Sequence, residues 1–229
     1  MIIDLGVCVS DPKRLESFIQ MAQKIGFTGF ASDEIADDSY ESFKNGVTIL
    51  KRADVSGRGL KSIRKQVDSV RKHSMIVAVK LASIEVANWA AEDQRVDLLT
   101  LDPSREYRFR NTTARLAAAS DTALEIRFKP LLHLAGLSRS KVIKTYRESI
   151  RIAVDSGMQV VLSSGAKHPL HMRSSLAIQH LGELLGMEPE FAENAVNQTP
   201  FDIVERNRSR FSSDYIADGV EIIRRRTDK

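Results

Sequence analysis

The sequence predicts an α/β fold with a parallel sheet of about seven strands, a TIM-like (β/α) barrel, with a doubly wound open sheet as the rival. Short apolar, strand-like runs alternate with helical runs of about 10 to 15 residues, the pattern of βαβ units. Residues 4–10 contain a single glycine, so no dinucleotide-binding fingerprint follows the first strand. This disfavours the open sheet, and the 229 residues suit one barrel.

Seven apolar runs are predicted as strands, one fewer than a regular eight-stranded barrel contains. Each is short and is separated from the next by a helical or polar segment, which indicates buried parallel strands. The predicted strands are Ile2–Val7, Phe27–Ser32, Val47–Ala53, Met75–Leu81, Asp97–Leu101, Ala123–Phe128 and Met158–Ser163.

The first helix is predicted from its two ends and from its apolar stripe. Asp11 suits an N-cap and Pro12 the first helical position, while Gly26 suits the residue after the last turn. The stripe repeats at helical spacing through Leu15, Phe18, Ile19, Ala22 and Ile25. Further helices are predicted over Leu60–His73, Ile84–Asp93 and Ser138–Ser156, with a helical C-terminal portion from about Ser174.

Composition narrows the class of protein. Apolar residues make up 42% and charged residues 28%, which excludes a disordered tail, a collagen-like repeat and a small disulfide scaffold. No linker rich in proline, glycine or serine interrupts the chain, so residues 1–229 are predicted to form one domain. The one cysteine, Cys8, allows no internal disulfide and fits a reducing compartment. With no membrane-spanning run and no signal peptide, a cytoplasmic location is expected.

Acidic and basic side chains interleave at the carboxyl ends of the predicted strands, where a barrel carries its active face. The acids could hold a metal or act as acid and base, but the neighbouring bases would neutralise them. We therefore favour ion pairs that close the barrel mouth, and predict neither a catalytic residue nor a metal site. The residues concerned are Asp33, Glu34, Asp54, Asp102 and Glu125 among the acids, and Arg52, Lys80 and Arg127 among the bases.

The candidate nucleophiles and the histidines give weaker evidence for a catalytic, metal-binding or phosphate-binding role. Cys8 lies between apolar residues with no adjacent base, so packing is its favoured role. His168 and His171 form the only close histidine pair, and nothing nearby completes a tetrahedral metal site. A segment after the last strand, Ser163, Ser164 and Gly165, is a candidate phosphate-binding turn, or else a tight turn that needs small residues.

Basic residues give the clearest functional signal. The net charge is +4, and one cluster of arginines follows the fifth strand, with Glu106 as its only carboxylate and with Tyr107 and Phe109 interleaved. Arginine forks match phosphate geometry and aromatic rings can stack on bases. This favours RNA or another phosphate polymer over a solvated surface of paired charges. The cluster is Arg105, Arg108, Arg110 and Arg115, and a helix face adds Lys141, Lys144, Arg147 and Arg151.

Several short segments occur along the chain in a combination and order that are specific together. They are Asp4–Val7, Lys51–Asp54, Leu101–Pro103, Leu124–Leu132, Val161–Ala166 followed by Arg173, and Thr199–Asn207. In these segments, and so over nearly its whole length, the chain resembles the ribonuclease P protein component 3 family, the thirty-kilodalton subunit of archaeal and eukaryotic ribonuclease P.

The resemblance implies a barrel related to metal-dependent phosphoesterase barrels, which are themselves seven-stranded, with the metal ligands of those relatives lost. It implies a subunit that binds the ribonuclease P RNA and supports removal of the 5′ leader from precursor tRNA. The RNA would carry the chemistry and require Mg²⁺, the protein would bind no cofactor, and ribonuclease P protein component 2 would be a partner.

Position and charge predict the residues that contact RNA: Arg52, Arg105, Arg108, Arg110, Arg127, Lys129 and Lys167. Two alternatives stay open. One is a barrel hydrolase, a metal-dependent phosphoesterase acting on a small phosphorylated substrate, with a site built from Asp33, Asp54, Asp102, Glu125 and His168. The other is a scaffold that binds only a protein partner.

Overall fold

Seven parallel strands form a nearly closed barrel, which confirms the TIM-like fold and the predicted number of strands. The structure, a computed structural model, describes residues 1–33, 39–104, 107–212, 215–217 and 220–221. The barrel strands are hydrogen-bonded in the order β1-β2-β4-β5-β6-β7-β8. The strands are β1 (Ile3–Asp4), β2 (Gly29–Ser32), β3 (Glu41–Lys44), β4 (Val47–Val55), β5 (Ile76–Lys80), β6 (Leu98–Thr100), β7 (Ala123–Arg127), β8 (Val160–Ser163), β9 (Tyr215–Ala217) and β10 (Val220–Glu221).

The helices follow the predicted alternation. None of the helices in the described part of the chain combines the length and the apolar character that crossing a bilayer requires. They are α1 (Leu15–Lys24), α2 (Leu60–Arg71), α3 (Ile84–Glu92), α4 (Asn111–Ala119), α5 (Lys129–His133), α6 (Gly136–Asp155), α7 (Ser175–Leu184), α8 (Pro189–Val196) and α9 (Gln198–Phe211).

The first helix forms as its sequence predicts. The Asp11 side chain accepts from the Lys13 amide at 3.0 Å, and Pro12 opens a turn of 3-10 helix that leads into α1. Apolar side chains at the predicted spacing, Phe18 and Ile19 among them, are buried against the barrel. Gly26 follows the last turn with φ +86°, a conformation that glycine adopts without strain.

Five elements depart from the prediction. The strand β3 pairs antiparallel with β4, and the helices α4 and α5 lie on either side of β7. Beyond α9, β9 pairs antiparallel with β10, so the expectation of a wholly helical C-terminal portion is wrong for these residues. In a pair of short strands, backbone N–H and C=O groups of one strand form hydrogen bonds with the other. A single helical turn would leave most of these groups without a partner.

The two cores of the barrel are separated by the alternation of side chains along the strands. One lies between the strands and the surrounding helices. The other fills the barrel interior toward the amino ends of the strands, and α9 covers that end. The interior set is Ile3, Leu5, Ala31, Leu50, Met75, Ile76, Ala78, Leu98, Ala123 and Val161, with Ile203 and Val204 from α9.

Asp97 fixes α9 beneath the barrel. Its Oδ1 accepts from Arg206 Nη2 at 2.9 Å and from Asn207 Nδ2 at 2.9 Å, both on α9. Its Oδ2 accepts from Arg71 Nη1 at 2.7 Å and from the Val77 amide at 2.8 Å. One buried carboxylate therefore joins α9 and α2 to the amino end of the sheet.

The barrel closes between β1 and β8, the two ends of the strand order, along what we call the seam. Asp4 Oδ1 accepts from the Ser164 amide at 3.2 Å, and the Cys8 amide donates to the Ala166 carbonyl at 2.8 Å. Burial raises the pKa of the Asp4 carboxyl, although hydrogen bonds from Ser164 and Gly6 oppose the effect. A Cβ on Gly6 would lie 2.3 Å from Ser163 Oγ, so the seam needs a glycine there.

Candidate functional site

Two strands place charged side chains inside the barrel at its carboxyl end. Alternation on β4 directs Arg52 and Asp54 inward, and alternation on β7 directs Glu125 and Arg127 inward. Arg52 is 3% exposed and Glu125 is 0% exposed, so both lie in the protein interior. We call these four residues the mouth network.

The first ion pair of the mouth network is bidentate. Arg52 Nη1 donates to Glu125 Oε1 at 2.7 Å, and Arg52 Nη2 donates to Glu125 Oε2 at 2.6 Å. Arg52 also donates to the Leu5 carbonyl of β1 and to Asp54 Oδ1, the latter from Nε at 3.1 Å. Such fork geometry gives the strongest type of charge-assisted hydrogen bond.

The second ion pair completes the charge balance. Arg127 Nη2 donates to Asp54 Oδ1 at 2.7 Å and to Oδ2 at 3.0 Å, while Arg127 Nε donates to Glu125 Oε2 at 3.0 Å. Hydroxyl groups of Thr100 and Ser163 donate to Glu125 at 2.7 and 2.9 Å. Two guanidinium groups therefore neutralise two carboxylates.

The electrostatics keep both carboxylates ionised. Burial alone would raise the pKa of Glu125, but the charges of Arg127 and Arg52 outweigh it and hold the pKa at about 2. Burial also opposes ionisation of Asp54, whose pKa is nevertheless lowered by Arg52 and Arg127. Because the arginines occupy these oxygens, the mouth network stabilises the fold rather than presenting a free base or a metal ligand.

The structure brings together only some of the residues named for a hydrolase site, and those residues are paired with cations. Asp54 and Glu125 are paired with arginines, and Asp102 accepts from Lys80 at 2.7 Å, a contact that helps lower its pKa to about 2 against the opposing effect of burial. Asp33 and His168 do not line the cleft that Asp54 and Asp102 line. Within the described ranges, no group of three or more His, Cys, Asp or Glu side chains could hold a metal.

A cleft of about 360 Å³ opens above the mouth network, and we call it the mouth cleft. Lys80, Arg127, Lys129 and Lys167 line it, together with Asp54 and Asp102 and apolar side chains. The two carboxylates are already paired with cations. Burial and the nearby charge of Lys167 lower the pKa of Lys129, since no carboxylate of the described residues pairs with it.

The candidate phosphate-binding turn lies at the rim of the cleft and belongs to the seam. Ser163 Oγ donates to Glu125, while Ser164 Oγ accepts from the Ala166 amide at 3.1 Å. Gly165 has φ +63°, and a Cβ there would lie 3.1 Å from the Cβ atoms of Arg127 and Lys129. The hydroxyls thus have structural partners, and the role of this turn in phosphate binding stays a prediction.

The predicted RNA-contact residues divide into three groups. Lys129, Lys167 and Arg127 lie together at the mouth cleft, whereas Arg52 lies below them in the interior. Arg108 and Arg110 are exposed near the start of α4. Arg105 lies outside the described residues.

A second cleft, of about 790 Å³, is lined on one side by Pro103 and residues 107–109 and on the other by α6, and we call it the α6 groove. Among the described residues, its charged lining consists of Arg108, Lys141, Lys144, Arg151 and the acid Glu148. The helical spacing of the α6 cations is visible in the sequence, but their place opposite Arg108 is not. The set of predicted contact residues therefore omitted them.

Three histidines also meet near the mouth. The ring centroids of His133 and His171 are 4.5 Å apart, and those of His168 and His171 are 5.5 Å apart. His168 Nδ1 accepts from the Leu170 amide at 3.2 Å. Burial, followed by the charges of His133 and His168, lowers the pKa of His171.

Comparison with known proteins gives a consistent result over nearly the whole chain. A family model described as RNase P subunit p30 matches residues 1–212. Ribonuclease P protein component 3 of Methanosarcina barkeri is 25% identical over 209 residues, which cover 89% of this chain and 87% of the relative. The component 3 of Methanothermobacter thermautotrophicus is 29% identical over 168 residues, covering 71% and 66%.

The fold is similar to that of a solved structure. A chain in a cryo-EM structure of archaeal ribonuclease P with mature tRNA superposes with a TM-score of 0.83 at 22% identity. The match covers 99% of this chain and 100% of the other. This likeness supports the barrel topology described above.

Proposed function

This chain belongs to the RNase P subunit p30 family, and from that premise we propose that it binds RNA at the mouth cleft within ribonuclease P. It is a protein subunit of that holoenzyme, which processes tRNA. Its partners are the RNA and the other protein subunits, with component 2 as the proposed protein neighbour.

The observation that carries the proposal is the unbalanced charge of the mouth cleft. Among the described residues, the two carboxylates that face it, Asp54 and Asp102, are each paired with a cation. Lys129 and Lys167 have no such partner among the described residues, so their charges are available to an external anion. A folded RNA is a dense polyanion, and each phosphate that a lysine neutralises releases counterions.

The mouth network also bears on which component carries the chemistry. A phosphoesterase site would need free carboxylates, and Asp54 and Glu125 are held by Arg52 and Arg127. The proposal therefore assigns cleavage of the 5′ leader, and the need for Mg²⁺, to the RNA component. The protein lowers repulsion between RNA segments, and a cytoplasmic location is part of the proposal.

The test is cleavage of precursor tRNA by a cognate ribonuclease P RNA over a Mg²⁺ series, with and without this protein and component 2. We expect the proteins to lower the Mg²⁺ concentration needed for cleavage and to cleave nothing alone. Lys129→Gln/Lys167→Gln should raise that concentration again because two phosphate contacts are lost. Lys61→Gln/Lys65→Gln, which removes two exposed charges on α2 away from the cleft, is the matched control.

Two outcomes would contradict the proposal. The first is metal-dependent hydrolysis of phosphoesters by the protein alone, with no effect on the RNA. The second is a Lys129→Gln/Lys167→Gln variant that supports cleavage over the same Mg²⁺ range as the unaltered protein.

A further inference from the structure

The α6 groove is a second surface with excess positive charge. Arg108, Lys141 and Arg151 are exposed and form no ion pair with the described residues. The acid in the described lining is Glu148, whose Oε1 lies 3.9 Å from Lys144 Nζ, and both side chains are more than half exposed. The groove thus keeps most of its charge for an external anion.

The geometry of α6 sets the length of the charged surface. At a rise of 1.5 Å per residue, the cations from Lys141 to Arg151 extend over about 15 Å along the helix axis. Arg108 faces them from the opposite wall, on the segment that precedes α4. This is a linear arrangement, and a linear polyanion fits it better than a compact anion does.

The lining of the groove also indicates how such a polyanion would be recognised. The ring of Phe109 is 5% exposed, so it is not available to stack on a base. Tyr107 also lines the groove and is half-buried, while four of the five charged side chains in the described lining are cations. The groove therefore suits contacts to phosphate, which position a nucleic acid without reading its sequence.

We propose that the α6 groove binds the sugar-phosphate backbone of RNA, as a contact separate from the mouth cleft. Pro103 lines both clefts, so one RNA surface can cover the two. The inference rests on the proposed function, because it takes ribonuclease P to supply the RNA. Because Pro103 joins the two clefts, the proposal assigns this backbone to the ribonuclease P RNA, and loss of binding to precursor tRNA alone would overturn that assignment.

The experiment uses the full chain with component 2 and the triple variant Lys141→Gln/Lys144→Gln/Arg151→Gln. Binding to the ribonuclease P RNA and to precursor tRNA is measured separately over a salt series. For the RNA that occupies the groove, the slope of log affinity against log salt should fall in magnitude by roughly two to three. Glutamine is a good helix former, so α6 should be retained.

Two further variants sharpen the test. Glu148→Gln removes the acid in the described lining of the groove and should tighten binding of the same RNA. Lys61→Gln/Lys65→Gln/Lys72→Gln removes three exposed charges on or next to α2 and should leave the salt dependence of each RNA unchanged.

The outcomes separate this inference from the proposed function. If the triple variant keeps the full slope while Lys129→Gln/Lys167→Gln reduces it, the groove does not bind RNA and the proposed function stands. If neither variant changes the slope, both are wrong. If the triple variant weakens binding of component 2 and leaves RNA affinity unchanged, the groove is a protein interface and the inference is overturned.

Discussion

Glu125 contacts both arginines of the mouth network. It accepts hydrogen bonds from Arg52, Arg127, Thr100 and Ser163, and it is fully buried. Removing one partner of a buried ion pair leaves the other charge without compensation, whereas replacing a whole pair by apolar side chains can be nearly neutral. This asymmetry makes the role of the network testable.

We predict that Glu125→Gln lowers the free energy of unfolding at pH 7 by about 3 to 5 kcal/mol, because two guanidinium groups lose a buried counter-charge. Arg52→Met/Glu125→Leu, which leaves the Arg127–Asp54 pair intact, should cost less than Glu125→Gln. Urea unfolding checks both, with exposed Glu85→Gln as a control expected to change stability by less than about 0.5 kcal/mol.

The same carboxyl predicts a pH dependence. Its pKa is about 2 in the folded protein and near 4.5 ordinarily, so the unfolded chain takes up the proton first as the pH falls. Its contribution to stability is therefore complete above pH 4.5 and is lost toward pH 2. The stability difference between the unaltered protein and Glu125→Gln should shrink over this window. A constant difference would show that the charge of Glu125 is not what stabilises the barrel mouth.

At the scale of elements, Asp97 is a buried acceptor that α9 shares with α2. Asp97 binds Arg206 and Asn207 of α9 and also Arg71 of α2, while Ile203 and Val204 bury the apolar side of α9. The apolar contacts attach the helix to the barrel, and the carboxylate fixes its position.

We predict that Asp97→Ala lowers the free energy of unfolding by about 3 kcal/mol, because it removes a buried acceptor shared by two arginines. Hydrogen exchange should report a larger loss of amide protection in α9 than in α3. Asp202→Ala, on the exposed side of α9, is the matched control. Equal losses in both helices would contradict a local role for Asp97 in docking α9.

The elements differ in how far the sequence predicts them. The stripe from Leu15 to Ala22 lies within one helix, so local spacing is sufficient. Helix α4 was missed because it begins with Asn111 and two threonines, which are weak helix formers, and continues mainly with small alanines. The strand β3 was missed because its side chains are half-buried or exposed, without a clear apolar alternation.

The candidate site, like the elements, can be predicted from the sequence only in part. Interleaved charges at the strand ends correctly predict ion pairs at the barrel mouth. The particular pairing of Arg52 with Glu125 joins residues 73 positions apart, and no local pattern encodes it. Likewise Arg108 meets α6 only once the barrel has placed α4 beside it. The charge of a residue and its position within one element can be predicted from the sequence, whereas contacts between elements can be predicted only when the fold is known.

At the scale of the whole molecule, closure of the barrel depends on the seam. Gly6 lies against Ser163, and a Cβ at Gly6 would come within 2.6 Å of the Ser163 Cβ. The methyl group of alanine would therefore separate β1 from β8 and disturb the Ser163 hydroxyl that binds Glu125.

We predict that Gly6→Ala lowers the free energy of unfolding by about 1 to 3 kcal/mol through overpacking. It should also increase hydrogen exchange at the Cys8 amide, which donates across the seam. Gly57→Ala is the control, since the nearest atom to its Cβ is the flexible end of Gln66 at 3.2 Å. A Gly6→Ala protein with unchanged stability and exchange would show that the seam tolerates separation.

The seam also has a consequence for synthesis on the ribosome. Asp4 and Ser164 are 160 positions apart, so β1 emerges long before its partner across the seam exists. Until then, one edge of the growing sheet has unpaired backbone groups, and such edges favour aggregation. We expect closure to be a late step, because contacts of large sequence separation form slowly. The edge of β1 that faces the seam must therefore be kept from pairing with other chains during most of translation.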